Sequence, residues 1–159
     1  MRLRALALDY DGTIAQDGIL GSQVRAAIGE ACARGLVVVV VTRRIRSDLK
    51  QVAGDLSFVG AVIAENGAVL AFPNGCSRVI GQPAPGELLE EFRRRRIKFT
   101  AGQCVLEAAA ASAPEIFSVI RDLQLPRVLM FNCGRLMAIP QGARVRAHIA
   151  NHPLLNGLN

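Results

Sequence analysis

Leu3-Arg4-Ala5-Leu6-Ala7-Leu8-Asp9-Tyr10-Asp11-Gly12-Thr13 is the stretch that decides how this chain is read. Residues 3–8 are apolar except for Arg4, the pattern of a buried strand, and the run ends by delivering polar groups at its C-terminal end. From residue 22 to 34 the apolar positions Val24, Ala27, Ile28, Ala31 and Cys32 recur at helical spacing, with Ser22 as the expected N-cap and Gly35 as the stop. Residues 36–41 form a β-branched run that is apolar on both faces. Such a run suits the centre of a parallel sheet covered by helices on each side. A short helix over 47–53 and a third apolar strand over 58–64, running into Glu65-Asn66-Gly67, complete a β-α-β-α-β order. That is the order of a doubly wound α/β fold.

Past residue 67 the pattern changes. Residues 69–72 and 78–80, separated by Pro73-Asn74-Gly75, read as a β-hairpin. A linker rich in Pro and Gly spans 81–86. A helix is expected over 87–96, a strand over 104–108, a helix over 113–123, and a hairpin of 128–131 with 136–139 turning at Asn132-Cys133-Gly134. These elements make a second, small α/β unit. The expected organisation is therefore 1–82 as the doubly wound, Rossmann-like part, 83–140 as the small unit, and 141–159 as a tail that matches neither.

In an open parallel sheet, ligands bind outside the carboxyl ends of the strands. Asp9, Thr42 and Glu65-Asn66 are all expected on that edge. Asp9 and Asp11 stand two positions apart in a segment leaving a strand, so both carboxylates can face one small volume while Tyr10 points away. One carboxylate can then attack a phosphoryl group and form an aspartyl-phosphate, while the other protonates the leaving alkoxide and later activates water. Gly12 lets the backbone approach the phosphoryl oxygens closely. Two carboxylates and a phosphate in one cleft repel each other, so a cation is required, and hard oxygen ligands point to Mg²⁺.

Asp9-Tyr10-Asp11-Gly12-Thr13 resembles the D-x-D-G-T signature of phosphatases of the haloacid dehalogenase (HAD) superfamily. The resemblance implies that Asp9 is nucleophile and metal ligand and that Asp11 is the acid/base and shares the metal. Gly12, Thr13, Thr42, Arg43 and Asn66 are the expected phosphate-binding residues. Glu65-Asn66-Gly67-Ala68 resembles the E-N-G-A segment of the sugar-phosphatase-like branch, whose α/β cap follows the third strand; residues 83–140 correspond to that cap. Two departures stand out. Where the family has Thr-Gly-Arg, this chain has Thr42-Arg43-Arg44, and Arg43 is expected to crowd the phosphate pocket or change the turn. The family's Lys and its G-D-x-x-N-D segment are not found after Pro140-Gln141-Gly142, where the chain reads Ala143-Arg144-Val145-Arg146 and runs to Asn159. The expectation is a truncated or frame-altered relative in which the first strand, 3–8, lies at an open sheet edge.

Composition narrows the function. The chain has 159 residues, 51% of them apolar and 20% charged, which is globular rather than disordered. Its longest apolar run is far short of the roughly 20 residues that cross a bilayer, and no signal-peptide pattern precedes Asp9, so a cytoplasmic location is expected. The net charge of +6 favours anionic ligands, but aromatic residues are only 4%, which disfavours a nucleic-acid interface. Cys32, Cys76, Cys104 and Cys133 form no C-x-x-C pair, and a zinc or redox motif has no support. Arg93 to Arg96 suit a solvated helix end. His148 and His152 lie in the unmatched tail. The leading reading is a phosphomonoester hydrolase acting on a small phosphorylated metabolite. The alternative is a catalytically inactive chain that binds phosphate or a partner. The sequence does not fix an oligomeric state.

Overall fold

The computed structural model describes residues 5–132 and 134–142, so the expectations placed on Cys133, His148, His152 and the rest of the tail lie outside the described residues. A five-stranded mixed sheet is built from β1 (Ala5–Asp9), β4 (Val37–Val41), β5 (Ala61–Ala64), β6 (Val69–Ala71) and β7 (Ser77–Val79), in the order β1-β4-β5-β6-β7. The first three strands are parallel and the last two antiparallel. Between β1 and β4 come a two-residue-per-strand hairpin, β2 (Ala15–Gln16) with β3 (Ile19–Leu20), and helix α1 (Ser22–Ala33); α2 (Arg46–Ala53) joins β4 to β5.

Both crossovers step in the same direction along the sheet, and right-handed crossovers then place both helices on one face. Accordingly Ile28 of α1 and Leu49 and Ala53 of α2 share one buried cluster with Val38, Val40 and Tyr10. The cluster on the second face holds Val39, Ala61, Ile63 and Leu70, with Val37, Val41 and Phe72 against it, and includes no described helix. The expected cover of helices on both faces of β4 is therefore not met among the described residues, because these strands contain no reversal of direction. β1 pairs with β4 alone among the described residues, in agreement with the expected edge position.

Local chemistry accounts for the element ends. Gly35, at φ +85°, stops α1 as expected. The expected N-cap is corrected: Gly21 occupies that position, Ser22 is the first helical residue, and no side chain caps the helix. The strand expected over 58–64 begins only at Ala61, because Val59 N–H turns back to the Leu56 carbonyl (3.2 Å) before Gly60 N–H joins Val38 O (2.8 Å).

A second sheet, antiparallel and four-stranded, has the order β10-β11-β9-β8: β8 (Phe99–Ala101), β9 (Leu106–Ala109), β10 (Arg127–Asn132) and β11 (Arg135–Pro140). Helices α3 (Gly86–Arg94) and α4 (Ala113–Asp122) pack on it through Leu88, Phe92, Ile116, Val119 and Ile120 against Leu106, Leu136 and Ala138. Phe92 meets Phe99 edge-on, centroids 5.3 Å apart, a contact of about 1 kcal/mol beyond its buried area. Strand β8 was not anticipated: its three residues carry too short an alternation to stand out.

On α3, Glu91 accepts from Arg94 Nε (2.7 Å) and Arg95 Nε (2.6 Å). Arg94, then Arg95, hold its carboxyl well below the ordinary value of 4.5, at about 2. Because the folded value is depressed, the stabilisation is complete above 4.5 and disappears as pH falls toward 2. Glu91→Gln should therefore lower the urea midpoint at about pH 7 and leave it unchanged near pH 2, a small difference at an exposed helix surface.

Candidate active site

Parallel pairing fixes the strand ends side by side. Asp9 is in register with Val41 and Val41 with Ile63, so the residues that follow each strand emerge on one rim. Tyr10 N–H donates to Val41 O (2.9 Å) and Thr42 N–H to Ile63 O (2.8 Å), which carries the ladder into the loops themselves. Asp9, Thr42 and Glu65-Asn66 thus meet at one edge, as the sequence led one to expect.

Asp9 is exposed, and no described residue pairs with its carboxylate. The chain then turns sharply: Ile14 and Ala15 N–H both donate to Tyr10 O, and Gly12 N–H donates to Ala15 O. Gly12 adopts φ +76°, which a residue with a side chain rarely holds. Nothing lies within 4 Å of where its Cβ would stand, so the need for glycine is conformational rather than steric. Thr13 is exposed beside it. Asp11, Gly12, Thr13, Asp17, Gly18 and Arg44 are among the residues lining a cleft of about 970 Å³ under the β2–β3 hairpin. Asp9, Thr42 and Asn66 are not among its lining residues; a more apolar cleft of about 460 Å³, between α2 and the β6–β7 turn, includes none of these and not Asp11 either.

Thr42 is buried, 2% exposed, and its hydroxyl accepts from Arg44 N–H at 3.1 Å. Arg43 is exposed, does not line the cleft and has no positive φ, so a glycine-specific turn is not found there. Asn66 is half-buried with φ +56°, and its N–H donates to Thr42 O at 3.3 Å.

Sequence reasoning missed the residue that dominates the electrostatics of the cleft. Arg44 Nε lies 3.0 Å from both oxygens of Asp11, Nη2 lies 2.8 Å from Oδ1, and Nη1 donates to Asp48 Oδ2 at 2.9 Å. Hydrogen bonding to Asp11 is the largest effect on the guanidinium and raises its pKa, against the opposing pull of burial. Its Cζ also stands 5.9 Å from the ring centre of Tyr10. Tyr10 is fully buried, donates its hydroxyl to Gly18 O at 2.9 Å, and has a raised pKa, chiefly from burial. Tyr10 therefore packs in the core and also ties the β2–β3 hairpin to the segment that follows β1. The signal for that hairpin was present: Asp17-Gly18, a turn dipeptide, between Ala15-Gln16 and Ile19-Leu20. Arg44→Met should cost about 1–2 kcal/mol in urea unfolding, since it removes charge-assisted bonds at a partly exposed site.

Glu65 was expected on the rim, in a structural rather than a catalytic role, but its partners were not foreseen. It is fully buried and accepts from the backbone N–H groups of Gln103 (3.0 Å), Cys104 (2.8 Å) and Val105 (3.0 Å). This is why β9 starts at Leu106 rather than at Cys104: the preceding donors are turned toward the carboxylate. Burial, then the Glu65 charge, pushes the Cys104 thiol up to about 11, a value that keeps it protonated and inert.

The chain belongs to the haloacid dehalogenase-like hydrolase family, whose model matches residues 6–92. Among solved structures, a haloacid dehalogenase-like hydrolase from Bacteroides thetaiotaomicron superposes with a TM-score of 0.73 at 14% identity, over 99% of this chain and 77% of that one. A Thermoplasma acidophilum protein superposes at 0.69 and 15% identity, over 100% of this chain and 74% of that one. A sugar phosphatase of HAD subclass IIB superposes at 0.63 and 14% identity, over 98% and 76%. At such identities the likeness is one of fold, an α/β Rossmann-like arrangement. No curated protein gave a significant match. Among the described residues no helix is long and apolar enough to cross a membrane.

Proposed function

We propose that this chain is a Mg²⁺-dependent phosphomonoester hydrolase that acts on a small phosphorylated metabolite through an aspartyl-phosphate on Asp9, with residues 83–140 serving as its cap. The observation that carries the reading is an exposed Asp9 carboxylate at a strand end, without a partner among the described residues, in a chain of the hydrolase family, two residues before a second carboxylate. Sugar-phosphatase neighbours favour a phosphorylated sugar as substrate.

In the first step an Asp9 oxygen attacks phosphorus, the ester P–O bond breaks, and the leaving oxygen takes a proton from Asp11. In the second, water loses a proton to Asp11 and attacks phosphorus, the Asp9–phosphorus bond breaks, and inorganic phosphate leaves. Thr13 offers its backbone N–H, and Thr42 and Asn66 polar side chains, to the phosphoryl oxygens; Gly12, whose N–H is held by Ala15 O, supplies the turn that lets the backbone approach, and Arg43, exposed outside the cleft, would have to swing inward to join them. Arg44 has two sets of acceptors once phosphate arrives. Shifting its fork from Asp11 toward phosphate frees the Asp11 oxygen that the leaving group needs.

Mg²⁺ fits Asp9, whose hard carboxylate oxygens have no described partner, whereas Asp11 would have to exchange Arg44 for the ion. Among the described residues no cluster of three or more acidic, His or Cys side chains is present to hold a metal. Bound at Asp9, the ion supplies positive charge that offsets the carboxylates and phosphate.

A second reading, phosphate binding without turnover, draws on one observation: both Asp11 oxygens are already held by Arg44. Phosphate release from p-nitrophenyl phosphate and a panel of sugar phosphates with Mg²⁺ separates the two. Turnover supports the hydrolase; saturable binding of inorganic phosphate with no turnover on any ester favours the second reading.

A further inference from the structure

Glu65, Asn66 and Gly67 have successive φ angles of +53°, +56° and +94°. Two non-glycine residues in the left-handed region are strained, and such strain persists only where the surroundings over-determine it. Here the constraints come from both sides. On the side of the first sheet, Glu65 N–H donates to Arg44 O (3.0 Å) and Asn66 N–H to Thr42 O (3.3 Å), so the turn is bonded to the loop that carries Thr42 and the guanidinium lining the cleft, Arg44. On the side of the second sheet, the Glu65 carboxylate, fully buried, is satisfied by three backbone N–H groups from Gln103, Cys104 and Val105.

The chain around the carboxylate is shaped to it. A Cβ at Gly102 would stand 2.5 Å from Cδ and from both oxygens of Glu65, so only glycine admits the side chain. Gly102 N–H donates to Val105 O (2.8 Å), closing residues 102–105 into a turn whose intervening donors face Glu65. A buried carboxylate without such donors would be far out of its preferred medium, so leaving this socket is costly. Arg44 continues the path on the other side through its fork to Asp11.

We propose that Glu65 is a positioning residue: a latch that seats the 102–105 turn of the second sheet on the strand-end loop, and so sets the place of that sheet and the alignment of Arg44 and Asp11 together. Only the kinetic arm of its test rests on the phosphatase reading. Glu65 touches neither substrate nor phosphate in this account; it acts through Thr42 and Arg44.

Amide hydrogen exchange on the full chain tests the latch in the wild type, in Glu65→Gln, which keeps the shape but turns an amide NH₂ toward N–H donors, and in Gly102→Ala, which intrudes on the carboxylate from the opposite side. Exchange at Gln103, Cys104 and Val105, and at Glu65 and Asn66, should rise about tenfold or more in both variants, while amides of α4 and of the β10–β11 ladder keep wild-type protection. If Glu65→Gln does not fold, Gly102→Ala carries the same test. Unchanged exchange at these five amides overturns the proposal. So does an equal rise at every amide, which would make Glu65 a contributor to global stability and nothing more. In the kinetic arm, Glu65→Gln should lower kcat for p-nitrophenyl phosphate while KM stays within about twofold, because misalignment of Asp11 acts on the chemical step. A raised KM with unchanged kcat contradicts the path through Arg44. A wild type without turnover defeats the proposed function, and the exchange data still decide the latch.

Discussion

Asp9→Ala is expected to reduce phosphate release to background, a loss of about four orders of magnitude or more, as removal of a nucleophile typically gives. The side chain is exposed and makes no described hydrogen bond, so its removal should leave folding intact. Few site residues separate chemistry from stability so cleanly: Thr42 is 2% exposed, and the Asp11 carboxylate is bonded to Arg44. Urea unfolding of Asp9→Ala should match the wild type to within about 0.5 kcal/mol, as for other surface substitutions. Retained turnover in a contaminant-free preparation would remove Asp9 from the mechanism.

Glu65→Ala should have the largest effect on stability. It deletes the acceptor of three N–H groups, from Gln103, Cys104 and Val105. An orphaned buried donor costs about 1–3 kcal/mol, and water entering the vacated space offsets part of the sum, so the expected loss is about 3–5 kcal/mol. The urea midpoint reports it. A loss below about 1 kcal/mol would mean that these donors find other acceptors, and that the turn at 102–105 does not depend on Glu65.

The parts of this molecule legible in its sequence are those with strong local signals. The apolar run of β4, the periodicity of α1 and the strand-plus-carboxylate pattern at Asp9 each announce themselves within a few residues, and the parallel pairing that brings Asp9 beside Thr42 follows from the β-α-β order. What was not legible depends on partners far along the chain. Arg44 and Asp11 are 33 positions apart. The Thr-Gly-Arg pattern puts Arg44, not Arg43, at the family's arginine, but nothing local names its partner; one guanidinium is committed to the cleft and the other is exposed. Glu65 was read as the start of an Asn-Gly turn, and the turn is there. Its structural role comes instead from the 103–105 donors, 38 to 40 positions away, whose recruitment also shortens β9. That the described helices of the first sheet lie on one face follows from the order of the three parallel strands, which local pattern does not report.

The central claim is that Asp9 forms a covalent bond to phosphorus and that Asp11 moves the protons that make and break it. Asp11→Asn should attack a reactive ester but fail to activate water, so the phosphorylated protein should accumulate. Incubation of that variant with p-nitrophenyl phosphate and Mg²⁺, followed by peptide mass spectrometry, tests this directly. The account predicts one added phosphoryl group on the peptide containing Asp9, labile to hydroxylamine and absent from the double variant Asp9→Ala, Asp11→Asn. Wild-type rates of phosphate release by Asp11→Asn, with no modified peptide at any time point, would contradict it.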